Sequence, residues 1–371
     1  MGLNVVVLAN LKANAPGDAG TPPDAWAELD SETTTSAIVA ALEEAGHRAT
    51  FLEGDLSLVE RLPALEPDIC FNICEGHWGD SRESHVPALL EMLRIPYTGA
   101  GVLGLGLTLD KPLTKRVLSY HGLPTPAFQV FHRADEAIAS GLEFPLFVKP
   151  SREGSSLGVT ASSIVHDEAE LRAQLARQLA RFRQPILVER FIRGREVTVG
   201  VIGNVADGFR ERVPEDGPAG AVAPGLRLLP PLEVELHRYP HGQSGVYTSG
   251  IKWDPGDVYY YSCPAPLPPS LTARLGLLAA TAFRVTGCQD VARIDFRLDA
   301  AAGDEPYVLE VNALPGLGPG YSDLVLAAAA DGMSYPKLIN AIFDAACRRH
   351  GLPVGDGRAA MPAEAQCQPA G

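Results

Sequence analysis

The chain contains no apolar run long enough to span a bilayer, and its first residues, Met1-Gly-Leu-Asn4, carry no basic stretch of the kind that opens a secretory leader. Neither a membrane segment nor an export signal is expected, and a cytoplasmic location is. Positive charge is scarce: 31 Lys and Arg face 45 Asp and Glu, for a formal net charge of −14. That excess argues against binding to nucleic acid or to an anionic membrane surface, while leaving a local cluster of Lys and Arg free to hold an anionic ligand. Cysteine is sparse too. Six, at positions 70, 74, 263, 288, 347 and 367, read as reduced and mostly buried thiols rather than a disulfide framework. Cys70 and Cys74 have no second Cys or His pair at zinc spacing, so no metal site is expected there. Internal repeats and a Walker P-loop are also missing, so any nucleotide site belongs to another architecture.

What remains is an ordinary globular composition, 46% apolar and 20% charged over 371 residues, a length that calls for two or three domains. Strand-like runs at Leu3 to Ala9, Ala49 to Leu52 and Asp68 to Ile73 alternate with helical patterns from Ser31 to Ala45 and from Val86 to Leu93, giving an open α/β unit over residues 1–100. A second unit, 101–189, opens with a helix at Lys111 to His121. It continues with extended runs at Phe128 to Phe131, Leu146 to Lys149, Val159 to Ile164 and Pro185 to Glu189, and an amphipathic helix at Glu168 to Phe182. The third unit, 190–353, is antiparallel in character. It has a strand at Glu196 to Ile202, a long irregular stretch at Asp207 to Gly256, and helices at Leu271 to Thr286 and Tyr335 to His350. Residues 354–371 read as a disordered tail.

Two runs in the third unit carry the strongest chemical signal: Val291-Ala-Arg-Ile-Asp-Phe296 and Tyr307-Val-Leu-Glu-Val-Asn312. Side chains alternate along a strand, so Arg293 shares a face with Asp295, and Glu310 with Asn312. Ala292, Ile294 and Phe296, with Tyr307, Leu309 and Val311, are expected to face a core. If the strands pair, three hard oxygen ligands and a guanidinium converge, a set suited to Mg²⁺ shared with phosphates. The alternative is a half-solvated sheet with polar outward faces.

Two glycine motifs mislead. Gly99-Ala-Gly-Val-Leu-Gly104 fits the dinucleotide pattern but not its place in a first βαβ turn. Gly154-Ser-Ser-Leu-Gly158 fits the nucleophile elbow, yet the following residues read as extended rather than helical, so a hydrolase centred on Ser156 is disfavoured. As a phosphate lid the same loop makes better sense. Gly154 and Gly158 let backbone N–H groups approach phosphate, Ser155 and Ser156 add hydroxyls, and Lys149 ends the preceding strand. Glu189 and the backbone of Arg190, Phe191 and Ile192 could border an adenine edge, with Glu196 close behind for ribose hydroxyls.

Taken in order, Leu109-Asp-Lys-Pro-Leu-Thr-Lys115, Phe147-Val-Lys-Pro-Ser-Arg-Glu-Gly-Ser-Ser-Leu-Gly158, Val188-Glu-Arg-Phe-Ile192, Ala292-Arg-Ile-Asp295 and Leu309-Glu-Val-Asn312 with Pro315-Gly316 resemble the D-alanine–D-alanine ligase branch of the ATP-grasp superfamily. Phe71-Asn72 and Ile95-Pro-Tyr-Thr-Gly99 extend the resemblance into the first unit, so that it covers the chain to about residue 350. It implies a three-domain fold, α/β at the N-terminus and α+β in the ATP-binding half. Lys111, Lys149 and Lys252 would hold phosphates, Glu189 to Ile192 the adenine and Glu196 the ribose. Asp295, Glu310 and Asn312 would bind two Mg²⁺, with Mn²⁺ as a substitute. Arg293 and the backbone N–H of Gly316 would stabilise an oxyanion, Ser155 would hold the lid and the substrate end, and Ser322 would take the family's carboxylate-binding place. The reaction implied is ligation of a carboxylate to an amine through an acyl-phosphate, with amino acids as small-molecule substrates, D-alanyl-D-alanine as the default product and a homodimer as the assembly.

Departures gather at the substrate end. The family's His-Gly-x-Gly-Gly-Glu-Asp-Gly stretch is here Glu75-Gly-His-Trp-Gly-Asp-Ser-Arg-Glu83, which makes Glu75 and His77 both candidates to face the substrate. Trp253 replaces the tyrosine after the third lysine, and the N-terminal acid of the family has two candidates, Glu28 and Glu32. These changes favour a ligase for a different amino acid or small acid as the first rival reading. A nucleotide-binding protein without catalysis is the second.

Overall fold

A computed structural model describes residues 2–17, 26–206, 224–239 and 260–354. Lys252 and Trp253, much of the stretch 207–256 and the tail from 355 lie outside the described residues.

β1 (Asn4–Ala9) lies between β2 (Arg48–Glu53) and β3 (Ile69–Ile73), parallel to both. β1 and β3 are buried almost along their whole length because they are covered on both faces, as parallel strands commonly are, while the edge strand β2 leaves Arg48 and Thr50 exposed. α1 (Glu32–Glu44) makes the β1-to-β2 crossover and begins where the Ser31 hydroxyl accepts the Thr34 N–H. α2 (Leu58–Leu65), unexpected from sequence, is a short helix with Pro63 inside it that buries Leu58 and Leu62. α3 (His85–Leu93) leads towards α4 (Val102–Leu109), also unexpected, and α5 (Lys111–Tyr120) follows at once, capped by the Asp110 carboxylate on the Leu113 N–H. The glycine of the dinucleotide-like motif has a packing reason: a Cβ at Gly104 would lie 2.8 Å from the carbonyl oxygen of Gly287.

The second sheet is antiparallel in the order β4-β7-β5-β6: β4 (Phe128–Phe131), β7 (Ile186–Arg190), β5 (Leu146–Pro150) and β6 (Ile164–Val165). α6 (Glu168–Phe182) covers one face, burying Leu171 and Leu175 against Phe131, Val148 and Val188. The run from Val159 to Ile164, expected to be extended, instead turns through a 3₁₀ segment at Ala161–Ser163 before the two-residue β6. Its ends are tied reciprocally by Thr160 and Ser163, a local hydrogen-bonding option that competes with a strand.

Among the described residues the third sheet has six strands. β8 (Glu196–Gly203) lies between β10 (Leu232–Val234) and β12 (Asp290–Asp299), β9 (Leu226–Leu228) also pairs with β8, β11 (Tyr261–Ser262) forms one edge and β13 (Glu305–Asn312) the other. β9 and β10 fall in the stretch expected to be irregular. α7 (Pro269–Val285) buries Leu275, Leu278 and Phe283 against Val197, Ile294 and Phe296. α8 (Asp323–Ala330) and α9 (Tyr335–His350) pack together with α1 and the first sheet in one core that includes Val5, Ile38, Leu42, Ile339 and Phe343. The first and third sheets are thus tied through shared apolar packing.

A buried carboxylate completes that tie. Asp290, with no exposed surface, accepts from Arg349 Nη2 at 2.6 Å, from the Gly99 N–H at 2.9 Å and from Asn204 Nδ2 at 2.7 Å. Removing one partner of such a pair strands the other charge away from water. Asp290→Ala should therefore lower the unfolding free energy by about 3–5 kcal/mol in urea titration; a loss below about 1 kcal/mol, typical of an exposed pair, would contradict the account.

Candidate active site

The β12–β13 ladder places Arg293 opposite Asn312 and Asp295 opposite Glu310. Ala292, Ile294 and Phe296 are buried on the far face, as the alternation requires. On β13 it does not hold: the register shifts between Asp295 and Phe296, so that Phe296 faces Val308 and one extra residue is accommodated at Leu309. Val308 and Val311 therefore enter the core, while Leu309 lines the cleft and Tyr307 lies beneath the Arg190 guanidinium, 5.1 Å from its ring centre. The expected core placement of Tyr307 and Leu309 is overturned by this bulge.

Asp295 is saturated with donors. Arg293 reaches it in fork geometry, Nε to Oδ1 and Nη2 to Oδ2, both at 2.8 Å, Thr198 Oγ1 donates at 2.6 Å and Asn312 Nδ2 at 2.9 Å. Burial works against the charge on Arg293, but Asp295, Asp323 and Glu310 outweigh it and raise the pKa above its ordinary value. The fit to a divalent ion can be judged from the donors. Two carboxylates opposed on one rung, with the Asn312 amide oxygen turned away from Asp295, are the hard oxygens that Mg²⁺ takes. Among the described residues no group of three or more His, Cys, Asp or Glu could enclose a metal alone, so an ion here would draw other ligands from phosphate and water.

Across the cleft, β5 and β7 bring Lys149 and Glu189 together at 2.8 Å, and α5 adds Lys115, 2.6 Å from the other oxygen of Glu189. Lys115 was not anticipated; its spacing of four from Lys111, on one face of a helix, was the available signal. Glu189 lies in the cleft as expected, but its carboxylate is held by two ammonium groups, which leaves the backbone of Arg190 to Ile192 to border a base. Burial raises the pKa of Glu189, yet the two lysines overcome it and leave it below the ordinary value. For Lys115, burial dominates and pushes the pKa down to about 8, only partly opposed by Glu189. Lys111 sits 3.4 Å from Glu310 and donates to the Glu153 carbonyl at 2.5 Å. Glu196 pairs with Arg297 at 2.9 Å; burial raises its pKa and Arg297 opposes the rise. Phe191 stacks on Phe147 with ring centres 6.1 Å apart, and Arg190 pairs with Asp299 at 3.0 Å.

The glycine-rich loop closes over this cleft. Ser155 and Ser156 both hold positive φ, +48° and +59°, a conformation that non-glycine residues adopt only under constraint. The constraint comes from the first unit: the Gly154 N–H donates to Glu28, and Arg82 lies 2.5 Å from the same carboxylate while donating to the Arg152 carbonyl at 2.9 Å. Glu28, not Glu32, is thus the acid at the site; Glu32 is exposed in the first turn of α1. Among the described residues no histidine lines the cleft beside Ser156, and no α-helix follows the loop directly, which removes the nucleophile-elbow reading.

Beyond the lid a second pocket continues from the cleft, the two sharing Lys111, Gly154 and Glu310. It gathers Glu28, Ser155, Arg293, Gly316 and Ser322. Glu75 lines it and His77 does not: the His77 ring meets Trp26 edge-on at 5.4 Å, and His77 is withdrawn as a residue facing this pocket. Asp30, Glu83 and Asp323 are further lining acids that sequence reasoning missed.

Two antiparallel sheets facing each other across a lysine-lined cleft, with opposed carboxylates on one wall and a glycine-rich loop above, define an ATP-grasp fold. The D-alanine–D-alanine ligase of Bacillus anthracis, solved in complex with ATP, superposes with a TM-score of 0.67 over 94% of this chain and 99% of that one, at 22% identity. In sequence, the family described as D-ala D-ala ligase C-terminus matches residues 117–216 and 232–344. The D-alanine–D-alanine ligase of Syntrophotalea carbinolica is 36% identical over 85% of this chain and 91% of its own length. A protein of Sinorhizobium fredii called uncharacterized protein y4sG is 35% identical over 89% and 91%. The chain belongs to the D-alanine–D-alanine ligase family, and is an ATP-dependent ligase of that kind.

The lysine pair gives a pH test. A lysine whose folded pKa lies below its unfolded value sheds its proton first in the folded state, so between about 8 and the ordinary lysine value of 10.5 the unfolded chain binds more protons and this group makes stability rise with pH. Lys115→Met should remove that rise from the difference between variant and parent, measured by denaturant titration across this range. Parallel pH profiles would contradict the placement of Lys115.

Proposed function

We propose that the protein joins the carboxylate of one amino acid to the amine of another with ATP as energy source and Mg²⁺ as cofactor, forming an amide bond by way of an acyl-phosphate. The observation that carries this is the continuity of the two pockets at Lys111, Gly154 and Glu310, which lets a group bound beside Arg293 and Ser155 reach the far end of a nucleotide in the lysine-lined cleft. In this reading Lys111 and Lys149 hold phosphates, with Lys252 as a third; Glu196 takes the ribose and the backbone from Arg190 to Ile192 the adenine. Mg²⁺ bound by Asp295, Glu310 and Asn312 would supply positive charge against the phosphates, and Mn²⁺ has the same ligand chemistry.

A carboxylate oxygen of the first substrate attacks the γ-phosphorus and ADP leaves. The amine of the second then adds to the acyl carbon, and phosphate departs with the original carboxylate oxygen. The chain's own residues act chiefly by position and charge. Arg293, already forked on Asp295, and the N–H of Gly316 face the oxyanion of the second step. The Glu28–Arg82 latch keeps the lid, with Ser155 and Ser156, over the reacting groups. Ser322, whose hydroxyl a Cβ at Gly316 would approach to 3.1 Å, is placed for a substrate carboxylate. D-Alanyl-D-alanine is the default product, on the strength of the relatives' names; a homodimer is the proposed assembly and the cytoplasm the proposed location. Among the described residues no helix is long and apolar enough to cross a membrane.

The test is ADP release from ATP and Mg²⁺ across single and paired D- and L-amino acids. Release that depends on an amino acid is expected, and nucleotide binding without turnover in every combination would favour a binding protein instead. Arg293→Ala should lower kcat by about 10²–10³, the usual cost of losing one oxyanion donor, with a smaller fall in ATP affinity because Asp295 also loses two of its donors. A fall in ATP affinity that matches the fall in kcat would remove Arg293 from the second step.

A further inference from the structure

One wall of the nucleotide cleft is built from alternate residues of two neighbouring strands. On β12, Arg293, Asp295 and Arg297 share a face, and on β8 Thr198 stands opposite Asp295 and Glu196 opposite Arg297. From Asp295 to Arg297 the strand advances about 7 Å. The Arg297–Glu196 pair therefore lies one step along from the carboxylates suited to Mg²⁺, in the cleft that Phe191 and Ile192 also line. Arg297 is only 6% exposed, and a guanidinium is rarely so deep without a partner. Its Nη2 lies 2.9 Å from Glu196 Oε2, and its Nη1 donates to the Gly194 carbonyl at 3.3 Å. That carbonyl is fixed in turn. The Leu298 N–H donates to the Arg195 carbonyl at 2.9 Å and the Ala300 N–H to the Arg193 carbonyl at 3.0 Å, while a Cβ at Gly194 would collide with the Leu298 carbonyl oxygen. Arg297 Cζ also sits 5.9 Å from the centre of the Phe191 ring. Held on three sides, Arg297 is a fixed support. Glu196, whose side chain is 18% exposed against 7% for Arg297, is the more open member of the pair.

We propose that Arg297 is a positioning residue for ribose recognition: it fixes the Glu196 carboxylate as the acceptor for the nucleotide's 2′- and 3′-hydroxyls, and so makes the protein select ATP over its deoxy analogues. The inference rests on the assignment of Glu196 to the ribose and adds the residue that makes this contact selective. A carboxylate offers about four lone-pair positions. Arg297 occupies one of them on Oε2, which leaves room for two adjacent hydroxyls to donate to the same group. The cross-strand register supplies the other requirement, an acceptor already in place when the ligand arrives, with no side-chain rotamer left to fix on binding. A nucleotide lacking one hydroxyl leaves part of that buried acceptor unmet.

Calorimetric titration of the full chain with ATP, 2′-deoxy-ATP or 3′-deoxy-ATP, in Mg²⁺ and without amino acids, reads this selection directly. The parent should bind ATP about tenfold tighter than either analogue, the scale of one hydrogen bond to a charged group. Glu196→Gln, which keeps the shape, should bring the three nucleotides to within about threefold of one another. Arg297→Met and Arg297→Gln should do the same with Glu196 intact, weakening ATP far more than the analogues, and Arg297→Lys should restore part of the ratio. Binding of 2′-deoxy-ATP reports that each variant is folded, and either neutral variant suffices if the other does not fold. An equal loss for all three nucleotides in the neutral variants would place Arg297 elsewhere in nucleotide binding and overturn its positioning role. So would a parental ratio in those variants alongside a lost ratio in Glu196→Gln, an outcome that leaves the ribose assignment standing. If Glu196→Gln keeps the ratio, or the parent shows none, the ribose assignment fails and the role of Arg297 falls with it.

Discussion

One extra residue in β13 decides what the third sheet presents to the cleft. In a regular ladder Tyr307, Leu309 and Val311 would share a face, and the polar groups would alternate with them in strict step. The bulge at Leu309 lets Val308 and Val311 both reach the core while Leu309, Glu310 and Asn312 stay on the cleft wall, opposite a β12 that alternates without interruption. Arg293, Asp295, Glu310 and Asn312 can then meet in two adjacent rungs. The position of Asp295 depends on that meeting, since two of its four donated hydrogen bonds come from Arg293 and one from Asn312.

The remaining charges follow one rule: each group kept from water is given a partner from a different part of the chain. Glu189 on β7 is shared by Lys149 on β5 and Lys115 on α5, so the cleft holds two lysines without an isolated buried ammonium. Glu28 does the same for Arg82 and, through the Gly154 N–H, also fixes the lid. Asp290 does it for Arg349 and ties the third sheet to the end of the first unit. Rigid walls and a latched lid are what a reaction governed by positioning and charge requires.

Much of the architecture was legible in local pattern. The continuous apolar run at Val5 to Ala9 announces a strand covered on both faces, and the alternation from Ala292 to Phe296 announces one covered on a single face. That Lys149 and the glycine-rich loop share one cleft was readable because they are adjacent in sequence. The bulge was not, since Leu309 is neither glycine nor polar and nothing in the strand marks the extra residue. Arg82 with Glu28, and Arg349 with Asp290, were also hidden: they join residues far apart in the chain, which one sequence cannot pair. Glu75 and His77 both stood in the altered stretch, and only the turn at Gly76 decides which of them looks into the pocket. Lys115 was visible as a residue but not as a partner, since its use depends on β7 passing beside α5.

The central claim, that a carboxylate is activated as an acyl-phosphate, is tested most directly by oxygen transfer. An amino acid substrate labelled with ¹⁸O in its carboxylate is turned over with ATP and Mg²⁺, and the phosphate released is examined by mass spectrometry. The account predicts one ¹⁸O atom in the phosphate for each amide bond formed. Phosphate whose new oxygen comes from water, or label found in the nucleotide, would contradict it.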